Sequence, residues 1–165
     1  MKNEDNSRTY FKMHKNPTTS LKTKEDYLRW SENCLKEANA YHEVSFRCKD
    51  MMLSQHGNAV FTNISFACEL YLKHLLLAHN IDCRREHNLY KLFKKLPEET
   101  QEHLKNKHPC GNILIENFEL ELDDVGQAFM IFRYMYERGN MASNIQFLIE
   151  LLFTLHNVAN NNVKR

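Results

Sequence analysis

The chain has 165 residues, a net charge of +1, 4 Gly, 3 Pro and five Cys. That length suits one domain with a real core, and the near-neutral balance excludes a polyanion binder that works by overall charge. Few Gly and Pro, with much Leu, Lys, Glu and Asn, favour helix. No apolar run reaches the roughly 18 residues of a membrane span. The opening MKNEDNSRTYFK has no apolar signal core, so we expect a cytoplasmic protein. The cysteines are odd in number and include no CxxC. Cys34, Cys48 and Cys68 fall inside helical patterns, where a thiol packs as a small hydrophobe, so no disulfide framework is expected.

Residues 1–22 are polar and aperiodic, with Lys2, Arg8, Lys12, Lys15 and Lys22 against Glu4 and Asp5, and read as a flexible basic arm. Thr23 and Asp26 make a capping-box pattern that starts a first helix. Tyr27, Trp30, Cys34, Ala38, Tyr41, Ser45, Cys48 and Met52 give it one face, running to about Leu53. Gly57 is expected as its left-handed cap. A second helix, from about Asn58 to Ala78, is apolar over much of its circumference and should be central. Within it Glu69 and Lys73 stand at i,i+4 in the favourable order.

After the polar loop Asn80–Glu86, Asn88 can cap a short helix at Leu89–Leu96. Pro97 suits the first position of another, running to about Lys107 and broken by Pro109-Cys110-Gly111. Ile113–Leu122 alternates enough to imitate a strand, yet no partner strand exists, so it is read as helical or irregular entry into a helix over Asp123–Arg138. Gly139-Asn140 ends that helix. A C-terminal helix carries Ile145, Leu148, Ile149, Leu152, Leu155 and Ala159, and Asn160–Asn162 should fray it. The fold expected is all-α: an up-down bundle of four long helices with a short helical elbow, one domain over 23–162 with a tail at 163–165.

The segment FMIFRYMYE, Phe129–Glu137, sets Arg133 among residues that a helix would bury. A desolvated guanidinium needs a carboxylate, a carbonyl or a bound anion. One reading is structural, with Arg133 paired to Glu69 across two helices or to Glu137 one turn on. The other is an anion site, with Arg133, Tyr134 and Glu137 gripping a phosphate. His87 is either a ring that fixes its turn or a general base facing Arg133. Arg84, Arg85, Lys91, Lys94 and Lys95 form a basic cluster that could face a polyanion. The acidic run Glu116, Glu119, Glu121, Asp123 and Asp124 lies elsewhere in sequence, and two such faces would suit self-association or a charged partner. Cys83, His87, His103, His108 and Cys110 make no closed four-ligand zinc set, so no metal is expected. No phosphate-binding loop, dinucleotide, zinc-protease or serine-hydrolase motif is present, and no cofactor is expected.

Three segments in order resemble the HEPN-domain family. FACELYLKHLL (Phe66–Leu76) is similar to its A-x-E-L-x-L-K-x-L-L helix. EHNLYKLFKKLP (Glu86–Pro97) is similar to its G-H-D-L-x-x-L-F-x-x-L-P elbow, with Glu86 for Gly and Asn88 for Asp. NFELELDDVGQAFMIFRYMYE (Asn117–Glu137) resembles its helix ending R-Y-x-Y-E. The resemblance implies a four- to five-helix up-down bundle. It also implies a toxin–antitoxin, stress or phage-defence setting, a homodimer, RNA or a nucleotide as ligand, and an antitoxin or nucleotidyltransferase partner. Many such proteins are metal-independent RNases with an R-x4–6-H motif. Here only Arg8 and His14 fit that spacing, in the arm, so the resemblance is to the branch that lacks the motif. It implies a binding module without strong catalysis, with Arg133, Tyr134, Glu137, Glu69, Lys73, Arg84 and Arg85 as binding candidates. The alternatives are a divergent RNase using Arg133 and His87, and a purely structural assembly module.

Overall fold

The computed structural model describes residues 21–109, 115–134 and 144–162. The arm at 1–20, the Cys110-Gly111 break, Glu137, the Gly139-Asn140 stop and the tail at 163–165 lie outside the described residues. The described residues form seven α-helices and no strand: α1 (Lys24–Arg47), α2 (Gly57–Ala78), α3 (Leu89–Lys94), α4 (Glu98–Lys107), α5 (Ile115–Asp124), α6 (Ala128–Arg133) and α7 (Ile145–Asn162). No described helix is long and apolar enough to cross a membrane.

Thr23 starts α1 as its sequence predicts: its Oγ1 accepts the Asp26 amide at 3.1 Å and Asp26 Oδ2 accepts the Thr23 amide at 3.2 Å. The helix ends earlier than expected. It stops at Arg47, and a 3-10 turn at Lys49–Met51 carries the chain round. Gly57 is not a left-handed cap either. It is the buried first residue of α2, and a Cβ there would lie 2.3 Å from the Met52 carbonyl oxygen. Space, rather than a positive φ, demands glycine.

The far end of α2 closes on Asn80, held at φ 59. The Ile81 amide donates to the Leu76 carbonyl and the Asn80 amide to Leu77, two bonds that satisfy carbonyls the helix would leave open. Between these ends α2 is buried almost all round, with Ile64, Ala67, Cys68, Leu72 and Leu76 at or below 1 % exposure. It packs against α1, α3, α6 and α7, which makes it the centre of the core.

Cross-helix contacts fix the topology. Ser31 meets His74 and Asn39 meets Tyr71, so α1 and α2 run antiparallel. Phe61 meets Phe132 and Phe66 meets Phe129, so α6 opposes α2. Asn39 meets Asn160 and His42 meets His156, so α7 opposes α1. The result is the up-down bundle expected from sequence, with one correction. The third column is not one long helix over Asp123–Arg138. Its entry is itself helical, as α5, and a turn over Val125–Gln127 separates it from α6.

Gly126 explains that break. Its carbonyl accepts the Leu89 amide at 2.9 Å, and a Cβ on it would lie 2.9 Å from both Asn88 Nδ2 and the Asp123 carbonyl. The column bends so that its backbone can meet the start of α3, where Asn88 Oδ1 caps the Lys91 amide at 2.9 Å. Pro97 sits one position earlier than predicted, as the N-cap of α4. The asparagines expected to fray α7 are instead within it, through Asn162.

Candidate functional site

The structure separates the residues that the sequence grouped around Arg133. Glu69 is 1 % exposed on α2. Its Oε1 accepts from Lys73 Nζ at 2.8 Å and lies 3.0 Å from His87 Nδ1. Its Oε2 is also buried and has no hydrogen-bond partner. Lys73 is itself buried, so the i,i+4 pair seen in sequence is an interior ion pair rather than a surface one. The Cys34 and Cys83 thiols lie in the same region. Burial pushes Cys34 up to about 11 and Cys83 up to about 12, with Lys73 opposing both shifts. Neither thiol is a reactive nucleophile near neutral pH.

His87 belongs to the loop that leads into α3. Glu86 Oε1 accepts the amides of His87 and Asn88, each at 3.0 Å. Those backbone hydrogen bonds, the Asn88 one foremost, hold the Glu86 carboxyl below the usual carboxylate range. The His87 side chain is 56 % exposed. An imidazole tied through Nδ1 to a buried carboxylate has a fixed orientation and presents its other nitrogen for proton transfer.

Arg133 is elsewhere. It closes α6 as an exposed residue, directly after buried Ile131 and Phe132. Its guanidinium lies 5.8 Å from the Phe129 ring centroid and 5.4 Å from that of Tyr134. Of the two structural alternatives, the pairing with Glu69 is absent, because Glu69 is taken by Lys73 and His87, and Glu137 lies outside the described residues. Phe129 in turn stacks on Phe66 of α2, with centroids 5.0 Å apart. The aromatic neighbours thus support an outward cation rather than bury it. Among the described residues no ion pair of Arg133 is present, and none joins it to His87.

The basic cluster is partly neutralised within the molecule. Arg84 holds Asp82 through Nε at 3.1 Å and Nη2 at 2.8 Å, and its guanidinium lies 6.0 Å from the Trp30 ring. Lys94 pairs with Glu119 at 3.0 Å, and Lys105 with the same carboxylate at 2.8 Å. The two lysines hold the Glu119 carboxyl below its ordinary range, Lys105 most. The acidic and basic runs therefore meet at Glu119 instead of forming two separate faces. Arg85, Lys91 and Lys95 remain exposed.

Of the zinc candidates, His108 is a core residue, fully buried with its ring 4.6 Å from Phe147 and 5.2 Å from Phe118. Among the described residues no group of three or more His, Cys, Asp or Glu could hold a metal ion. Sequence reasoning missed a polar layer joining α1, α2 and α7, made of Asn39, His42, Tyr71, His156 and Asn160. Tyr71 lies in the helix that reads as apolar over much of its circumference, and Asn160 in the end expected to fray. Comparison of the chain with protein-family models, with curated proteins and with solved structures gives no match in any of the three.

Proposed function

We propose that this chain is a HEPN-like helical module that binds a phosphate-bearing ligand, RNA or a nucleotide, at Arg133 without strong catalysis. The observation that carries this reading is the exposed guanidinium braced by Phe129 and Tyr134 at the end of α6. A planar cation held against aromatic faces loses little freedom on gripping a phosphate, and its donors form a fork that fits phosphate oxygens. Titration of a short single-stranded RNA and of a mononucleotide, each at two salt concentrations, tests it. Arg133→Ala should weaken binding by about tenfold or more and lower the salt slope by about 1. Unchanged affinity and slope would sink the assignment.

A second reading rests on the tie between His87 and Glu69. In it the chain is a metal-independent RNase whose site is completed across a dimer, with His87 of one copy transferring the proton and Arg133 of the other stabilising phosphate charge. Cleavage of RNA in the presence of a chelator is then expected, with a loss of about 100-fold or more in His87→Gln. Because His87 is half exposed, thermal stability of that variant should stay near wild type. A rate unaffected by the substitution removes His87 from the chemistry.

A further inference from the structure

The polar layer between α1, α2 and α7 is used by neither functional reading. The Tyr71 hydroxyl donates to Asn39 Oδ1 at 2.7 Å and lies 2.8 Å from His156 Nδ1. Asn39 and Asn160 exchange amide hydrogen bonds in both directions at 3.1 Å. The His42 and His156 rings stack, with centroids 4.1 Å apart and planes 8° from parallel. Phe153 meets His42 edge-on at 5.8 Å. His42 Nε2 is buried and has no hydrogen-bond partner. Apart from this layer, α1 and α7 touch only slightly.

We propose that the His42–His156 stack is an acid-released latch between α1 and α7, closed while the rings are neutral and opened when both are protonated. The layer can accommodate a first proton. A charged His156 donates its Nδ1–H to the Tyr71 oxygen, whose own O–H continues to Asn39 Oδ1. A second proton places like charges 4.1 Å apart in a half-buried setting.

The groups around His42 offer no compensation. From α7 it faces His156 and Phe153, and from α2 the neutral phenol of Tyr71 approaches the stack. On α1 the neighbouring acid, Glu43, is engaged by Arg47. His103 and Lys107 of α4 and Glu150 of α7 line a groove of about 440 Å³ on Phe153, and His42 is not among its lining residues. Among all these, only His156 acts electrostatically on His42.

Burial lowers both imidazoles below the ordinary histidine value of 6.5, and for His42 the His156 ring adds to it. The unfolded chain therefore takes up protons first as pH falls. The latch is intact above about pH 6.5 and is lost progressively as pH drops through the lowered folded values. His74 and His108 are also lowered by burial, so acid sensitivity in the wild type is shared and the stack has to be isolated.

His42→Phe preserves a ring against His156 and removes one titrating group. Thermal midpoints at pH 7.5 and pH 5 should fall further in the wild type than in His42→Phe, by about 3 °C. Parallel losses would overturn the latch. Amide hydrogen exchange on the unmodified protein supplies a test that does not depend on the variant folding. After correction for intrinsic rates, α7 should lose protection between pH 7 and pH 5 at least tenfold more than α2, and equal losses also overturn the proposal.

Discussion

Lys73→Ala is expected to destabilise the fold by about 3–5 kcal/mol, because it leaves the Glu69 carboxylate buried without its cation. The cost comes from the partner left behind. Glu69 is 1 % exposed, and one of its oxygens already has no hydrogen-bond partner. His87 approaches the other oxygen but is half exposed and cannot screen the pair from the interior. Lys73→Met with Glu69→Gln should lose much less, since replacing both members removes the uncompensated charge. Urea unfolding of the two single variants and the double variant reads the coupling directly. A Lys73→Ala variant within 1 kcal/mol of wild type, on the order of an exposed pair, would show that the site is more hydrated than its geometry implies.

Phe118→Ala should cost a comparable amount, about 3–5 kcal/mol. Phe118 is fully buried at the meeting of four elements. Its ring lies 5.4 Å from Phe93 of α3, 5.4 Å from Phe147 of α7 and 5.2 Å from His108 at the end of α4. These are the only ring contacts among the described residues that tie α5 to both the elbow and the C-terminal helix. Truncation opens a cavity whose walls belong to separate elements, so collapse around it is limited. Phe118→Leu keeps most of the volume and should cost under about 1.5 kcal/mol. Calorimetric midpoints for both variants check the ordering, and equal small losses would mean that the elements close over the gap.

Much of the fold is legible because its causes are local. The capping box at Thr23, the Asn88 cap and the nearly uniform apolar girth of α2 are properties of neighbouring residues, and each appears where the sequence places it. The broken third column was not legible because its cause is distant. Gly126 bends the chain to meet Leu89 and Asn88, which a periodicity read along one segment cannot register.

The pairing of the candidate residues was legible only in part. Glu69 and Lys73 are seen as partners from their spacing alone, whereas His87 reaches Glu69 only because the loop folds back over α2. For Arg133 the sequence gives aromatic neighbours but not which way the helix turns. Adjacent helical residues differ by about 100°. With Ile131 and Phe132 committed to the core, Arg133 emerges on the outer flank and its rings serve as a brace.

The turn over Val125–Gln127 also gives the two halves of the third column different packing partners. Upstream of it, α5 packs on the elbow through α3, and downstream α6 packs on α2. A disturbance at the His87 loop has two routes to the Arg133 surface: the Leu89–Gly126 hydrogen bond, and α2 itself, where His87 meets Glu69 and Phe66 stacks on the Phe129 that braces Arg133.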